Sequence, residues 1–346
     1  MSTDWTHPEG DAGRTCFVDV EPLRSAPRPR WRVDLNGPAR LLASSAAVVV
    51  EVSGAGDEAR AVVLDPDTGA RRWEVGGLSR LLALRGDTLL VQDADGTGRA
   101  LDLATGDTLW AAPGRVLLAA DDGLLVAQHE GVAWLAQPTG AAPPARPDPR
   151  QPPQSFPVWS ARGMASQLGW IASRTLLVST GRTGAIAFRR DDGRKVWHLR
   201  HARGWGLADH EVLVEAITDA GRETLFVSDE GALSAQLLRR RPLALTPTAL
   251  IAQDVAEASL VRCPRGGGEI VKLLPHWSID EQRRRLAAAR EVTYAAGIIE
   301  LQALGPAGEV LWTLPPEAFP ETFEPVPGPG RLYLLLQGGA TCLEAS

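Results

Sequence analysis

Short apolar runs recur along this chain, each closed by a polar turn that ends in Gly and followed a few residues later by a Trp. The clearest copies are Val62-Val63-Leu64-Asp65-Pro66-Asp67-Thr68-Gly69-Ala70-Arg71-Arg72-Trp73 and Ala100-Leu101-Asp102-Leu103-Ala104-Thr105-Gly106-Asp107-Thr108-Leu109-Trp110. Degenerate copies run from Ala185 to Trp197 through Asp191-Asp192-Gly193, and from Leu301 to Trp312 through Gly305-Pro306-Ala307-Gly308. The apolar runs have the length of strands. Pro66 presets its own φ, Asp67 and Thr68 offer hydrogen bonds to nearby backbone, and Gly69 accepts a positive φ, so the chain reverses there. The phrase predicts two antiparallel strands joined by a tight turn. Its recurrence at a period of about 40 residues predicts a repeat architecture of four-stranded blades.

Trp31, Trp73, Trp110, Trp197 and Trp312 take equivalent positions in this reading, where a large flat ring packs between neighbouring blades. Weaker copies fill the longer intervals: Val132 to Gly140, Leu225 to Gly231 and Ser259 to Gly267. After Trp312 the chain offers three more strands, Phe323 to Val326, Leu332 to Leu336 and Ala340 to Leu343, and stops before a Trp strand. That missing strand is supplied at the other end, where Pro29-Arg30-Trp31-Arg32-Val33-Asp34-Leu35 has lost the hairpin before it. Pairing it with the strands near Cys342 removes two exposed sheet edges. The expectation is therefore an all-β propeller of eight four-stranded blades, closed by the N-terminal strand joining the C-terminal blade. Seven is the rival count if residues 241–290 contribute less than a full blade. Residues 1–27 form a lead-in expected to pack on the propeller, because Trp5 and Phe17 are too apolar for a solvated tail. Residues 28–346 form one domain.

Composition narrows the function classes. The many turns of such a fold account for 35 Gly and 26 Pro among 346 residues. A net charge of −6 argues against a general nucleic-acid surface, and Arg239-Arg240-Arg241 and Arg283-Arg284-Arg285 read as solvated loop charge. Cys16, Cys263 and Cys342 have no CxxC spacing, which argues against a disulfide framework or a zinc site. Residues 1–27 lack the basic start and apolar core of a signal peptide, and no apolar run reaches membrane-spanning length, so cytoplasmic residence without membrane insertion is expected. Residues 278–290 read either as a helix capped by Ser278 or, from Arg285, as the first strand of a blade.

The repeats resemble those of the pyrroloquinoline-quinone-like (PQQ-like) propeller superfamily, whose phrase runs aromatic-Ala-Leu-Asp-x-x-Thr-Gly-x-x-x-Trp; Ala100 to Trp110 is the nearest copy. The stretch Trp5, Gly10-Asp11-Ala12, Arg14-Thr15 and Trp31 is similar to a lead-in found in that group. The resemblance implies the fold and leaves function open, because the superfamily holds quinoprotein dehydrogenases, a lipoprotein of outer-membrane barrel assembly, and interaction proteins. A dehydrogenase of this kind needs a bound calcium or similar ion, carboxylate and amide ligands and a catalytic Asp. Here Asn36 is the one Asn, and the carboxylates outside turns form no cluster. A lipoprotein needs an apolar run before its lipid-bearing Cys, whereas Cys16 follows Gly10-Asp11-Ala12-Gly13-Arg14-Thr15. His198, His201 and His210 read as surface histidines, and neither a Gly-x-Ser-x-Gly elbow nor a Walker loop is present. No catalytic, cofactor-binding or metal residue is assigned.

One segment breaks the rhythm. Residues 141–158 hold Pro143, Pro144, Pro147, Pro149, Pro152, Pro153 and Pro157, and lead into Trp159. Proline cannot donate to a ladder, so at most an edge strand survives and the rest is an extended, semi-rigid arm. The reading is a non-catalytic interaction scaffold whose loop faces and Pro-rich arm engage another protein, with Phe156 and Trp159 as anchors beside Pro152 and Pro153. The alternative is that the arm is a spacer lying along the neighbouring blade.

Overall fold

Every strand-turn-strand phrase of the sequence that the structure describes is an antiparallel hairpin. The computed structural model describes residues 16–54, 58–113, 116–121, 124–129, 132–136, 157–162, 169–172, 176–181, 184–189, 194–208, 211–218, 221–275, 277, 286–297, 300–315 and 324–346. Among them every regular element is a strand, so the chain is all-β as expected.

The strands begin with β1 (Phe17–Val18) and β2 (Pro27–Asp34). Then come β3 (Pro38–Ala43), β4 (Val48–Ser53), β5 (Ala59–Leu64), β6 (Arg71–Arg85), β7 (Thr88–Asp93), β8 (Gly98–Asp102) and β9 (Thr108–Ala112), which form one antiparallel sheet in that order. The long β6 serves both halves of it, pairing β5 up to Leu78 and β7 from Leu78 onward. Four-stranded sheets follow: β10 (Val116–Asp121), β11 (Leu124–His129), β12 (Val132–Ala136) and β13 (Pro157–Arg162); then β14 (Gly169–Ala172), β15 (Leu176–Gly181), β16 (Gly184–Arg189) and β17 (Lys195–Leu199). The next two are β18 (Ala202–Ala208), β19 (Glu211–Thr218), β20 (Gly221–Ser228) and β21 (Leu233–Leu238), and β22 (Arg240–Leu245), β23 (Ala249–Asp254), β24 (Ser259–Pro264) and β25 (Val271–Leu274). Then β26 (Leu286–Ala289), β27 (Val292–Ala296), β28 (Leu301–Leu304) and β29 (Val310–Leu314) pair in order, with β1 added beside β26. The last sheet joins β30 (Glu324–Gly328), β31 (Arg331–Leu336) and β32 (Gly339–Ala345) to β2.

The expected union of the termini is present: β2 lies antiparallel to β32, with Trp31 opposite Cys342. Of the two readings for residues 278–290, the strand holds at 286–289; residues 278–285 fall outside the described part. The first strands of successive sheets lie side by side in the cyclic order β3, β6, β10, β14, β18, β22, β26, β30 and again β3.

A register shift recurs where each outer strand joins its sheet. The residue just inside the shift is Trp73 opposite Val63, Trp110 opposite Ala100, Trp159 opposite Leu135, Trp197 opposite Ala187, Trp312 opposite Ala303 and Trp31 opposite Cys342. Such bulges add local twist, so each outer strand leaves its sheet with the same hand. The same step holds Ala235 opposite Phe226 and Leu274 opposite Leu260. Two sheets therefore lack the aromatic.

The lead-in packs on the sheets where the structure describes it. Phe17 and Val18 pair parallel with Ala288 and Ala289 on β26, the strand nearest the axis, and Cys16, Phe17, Val18, Val20 and Leu23 are buried in the main apolar cluster.

Candidate docking surface

The aromatic and carboxylate residues of the repeat phrase hold neighbouring sheets together. Asp65 Oδ1 accepts from the backbone N of Asp67 and Thr68 and from Thr68 Oγ1, and Asp102 Oδ1 does the same for Ala104 and Thr105. The turn is thus capped by its first Asp, while Asp67 accepts from Arg30 and Arg331 across the sheet junction. The Arg72 guanidinium beside Asp65 holds that carboxyl well below the usual carboxylate range.

Each capped turn presents a carbonyl to the Trp of the preceding sheet. Trp31 Nε1 donates to Pro66 O at 3.0 Å and Trp73 Nε1 to Leu103 O at 2.9 Å. The same ring covers the turn glycine. Gly69 has φ +70°, and a Cβ there would stand 2.7 Å from Trp31 Cδ2; Gly106 has φ +81°, and its Cβ would stand 2.9 Å from Trp73 Cδ2. Glycine is required twice over, by backbone angle and by close approach. Trp197 covers Gly231 in the same way, but the Ser228-Asp229-Glu230-Gly231 turn is one residue shorter, and the buried Trp197 Nε1 has no partner.

At the junction of the two termini the lock is reinforced by charge. Arg30 pairs with both Asp67 and Glu344, Arg28 with Glu344, and Arg331 with Asp67 while also donating to Pro66 O. The Arg30 bond holds the Glu344 carboxyl below its ordinary value. Beneath this network Tyr333 and Cys342 are buried, and burial pushes both up to about 12.

The pattern fails at β21. Ala235 stands where six other outer strands have Trp, and the facing turn from the next sheet, Gly266-Gly267, has nothing near enough to meet an added Cβ. A polar contact takes the place of the ring: Arg265 Nη2 reaches Glu211 at 2.5 Å, and Ser234 Oγ donates to the same carboxylate at 2.9 Å. Burial raises the Glu211 carboxyl, but the Arg265 and Ser234 bonds and the Arg265 charge together outweigh it, and the net shift is downward. Five of the six large apolar side chains found exposed among the described residues gather on these two sheets: Ile217, Leu233, Leu238, Val255 and Ile270. Leu233 and Leu238, 56% and 55% exposed, bracket β21.

The residues singled out in the sequence are distributed unevenly. Trp159 falls in β13 at the register of the repeat Trp, so its backbone belongs to the sheet. Pro152, Pro153 and Phe156 lie outside the described residues. His198 is in β17 and His201 in the turn after it; His210 is not described. Arg240 of the basic cluster is engaged by Asp254 at 2.6 Å. Cys16, Cys263 and Cys342 are buried free thiols.

Quinone chemistry would require carboxylates converging on an ion. Among the described residues no three His, Cys, Asp or Glu side chains come together in a way that would hold one. No step is derived through that cofactor. No described helix is long and apolar enough to cross a membrane.

Sheets arranged in this cyclic order, with a Trp of one docked on the turn of the next, define a β-propeller. The chain has that fold, and residues 25–142 are similar to the family model described as outer membrane protein assembly factor BamB. Similar solved structures include the computationally designed Ika8 protein, 13% identical, covering 96% of this chain and 99% of that one at a TM-score of 0.60. The quinohemoprotein alcohol dehydrogenase from Comamonas testosteroni is 11% identical over 99% of this chain and 80% of its own, at 0.58. A europium-containing methanol dehydrogenase is 10% identical over 97% and 90%, at 0.56. At these identities the likeness is one of fold. No curated protein sequence matches the chain significantly.

Proposed function

We propose that this chain is a non-catalytic binding subunit of a larger protein assembly, built as an eight-bladed propeller over residues 28–346 with residues 1–27 packed on it. The count of eight is supported by dividing the seven-stranded sheet at β6 into two blades that share one long strand, and by counting the β2–β32 sheet as the closing blade. One observation carries the functional reading. The side chains that recur with the repeat, Asp65, Asp102, Trp31, Trp73 and Trp312, are all engaged in turn capping and sheet-to-sheet contacts, while β1 occupies the inner edge of β26. What remains for recognition is loops and outer strands. The BamB match over residues 25–142 supports an assembly role of the kind that relative's description names. We assign the chain to the cytoplasm and the Pro-rich segment, with Phe156, Pro152 and Pro153, to partner contact.

The test is affinity capture from the native host with the full chain and with a variant lacking residues 143–156, which leaves β13 whole. The reading expects partners that copurify with the full chain and are lost with the variant, at an unchanged melting temperature. Retained partners with a lowered melting temperature would make the segment a spacer. Titration with pyrroloquinoline quinone and calcium separates the quinoprotein alternative, which requires a saturable absorbance change. Cell fractionation separates the lipoprotein alternative, which requires recovery with membranes.

A further inference from the structure

We propose that two copies of this chain associate through their β21 edges, paired antiparallel about a two-fold axis; this does not depend on the binding role above. An outer strand leaves one row of backbone donors and acceptors unpaired, and proteins protect such edges with charge or Pro. Here β2 carries Arg28, Arg30 and Arg32, β6 opens on Arg71 and Arg72, and β17 and β25 carry Lys195 and Lys272. The uncharged β9 and β29 are centred on the buried Trp110 and Trp312. In contrast β21, Leu233-Ser234-Ala235-Gln236-Leu237-Leu238, has no charge, no Pro and no aromatic, and every residue but Leu237 is exposed.

The occupant is indicated by the ends of the strand. Asp229 and Glu230 precede β21, and Arg239 and Arg241 follow it. A second β21 laid parallel would set acid beside acid and base beside base. Laid antiparallel, it sets the acidic turn of each copy beside the basic end of the other, and opposite charges across strands stabilise while like charges oppose. The segment is thus complementary to itself in one direction only, the direction that gives a closed, isologous dimer. A two-fold at Ala235 places that small residue against its own copy, Leu233 opposite Leu237 on one face and Leu238 opposite Ala232 on the other, so each exposed leucine meets an apolar residue of the other copy.

Sedimentation velocity of the full chain across a concentration series should show an equilibrium between the 36.9 kDa monomer and a species of twice that mass. Leu233→Lys with Leu238→Lys should weaken the dimer by about tenfold or more, because the two-fold repeats each lost contact. Its thermal midpoint should be unchanged, since both side chains are exposed. Val310→Lys, on an equally exposed apolar residue of β29, should leave the dimer intact. Glu230→Arg alone and Arg239→Glu alone should each weaken self-association, and mixing the two should restore a heterodimer. A chain that stays monomeric to its solubility limit would overturn the proposal. So would a dimer indifferent to the paired lysines, or variants whose mixture does not associate.

Discussion

The indole Nε1 of Trp312 donates to the carbonyl oxygen of Leu23 at 2.8 Å, although 289 residues separate the two in sequence. The bond repeats those of Trp31 with Pro66 and Trp73 with Leu103. Pro66 and Leu103 each lie seven residues before the Trp of their own sheet, and Leu23 lies eight before Trp31. Leu23 therefore supplies the turn carbonyl of a sheet whose hairpin is cut by the chain termini. Its own N–H donates to Tyr294 Oη at 2.8 Å, and burial raises that phenol well above its ordinary value.

Removing residues 1–24 should accordingly destabilise the whole propeller. An indole left buried without its acceptor costs about 1–3 kcal/mol, and the loss of buried Phe17, Val18 and Leu23 adds to it. Chemical denaturation should show a lower midpoint. An unchanged midpoint would mean that the lead-in holds nothing together.

Substituting the turn glycines separates backbone strain from ring contact. Gly69 and Gly96 both have positive φ, +70° and +85°, but an added Cβ meets Trp31 at the first and nothing within 4 Å at the second. Gly96→Ala should cost about 1–2 kcal/mol for the backbone alone. Gly69→Ala should cost a further ~1–3 kcal/mol of overpacking. Equal losses in urea unfolding would show that the ring yields freely.

Much of this architecture was legible because the phrase couples two functions in one stretch: the turn that reverses the chain is also the seat for the next ring. Gly69 and Trp73 could be read together for that reason. From sequence Trp159 reads as an anchor at the end of a semi-rigid, Pro-rich arm. Yet Pro157 sits at the register shift of an edge strand, opposite Ala136, where a missing N–H is tolerated. Ala235 and Leu274 left no aromatic to find, and only the repeated bulge reveals their equivalence. The two-residue β1 was beyond reach, since a parallel pairing that short has no period. The exposed β21 edge was equally hidden, because exposure belongs to the folded sheet and not to the string Leu-Ser-Ala-Gln-Leu-Leu.

The orphaned donor of Trp197 gives a third prediction. Trp73→Phe removes an indole that donates to Leu103 and should cost about 1 kcal/mol for the bond beyond the loss of ring area. Trp197→Phe removes a donor with no partner, so it should cost less. Lengthening the Ser228–Gly231 turn by one residue to the Asp-x-x-Thr-Gly form should stabilise the chain, by returning a carbonyl to Trp197. Paired unfolding curves for the two Phe variants decide it: equal losses would mean that the bond contributes nothing.

Alkaline pH should loosen the junction of the termini, and the sign follows from the protons held there. Burial raises the Cys342 thiol from 9.0 to about 12, and burial likewise raises the Tyr333 phenol to about 12, with Arg331 opposing the shift in both. An unfolded chain gives up these protons near the ordinary thiol and phenol values while the folded chain keeps them, so stability is full below pH 9 and falls from there toward 12. The slope is about 1.4 kcal/mol per pH unit for each proton that only the folded chain retains. Cys342→Ala should start from a lower stability, because a buried side chain is trimmed, yet lose less between pH 9 and 11 than the native chain. If the two thermal midpoints fall in parallel over that range, the junction thiol is not what makes the propeller sensitive to base.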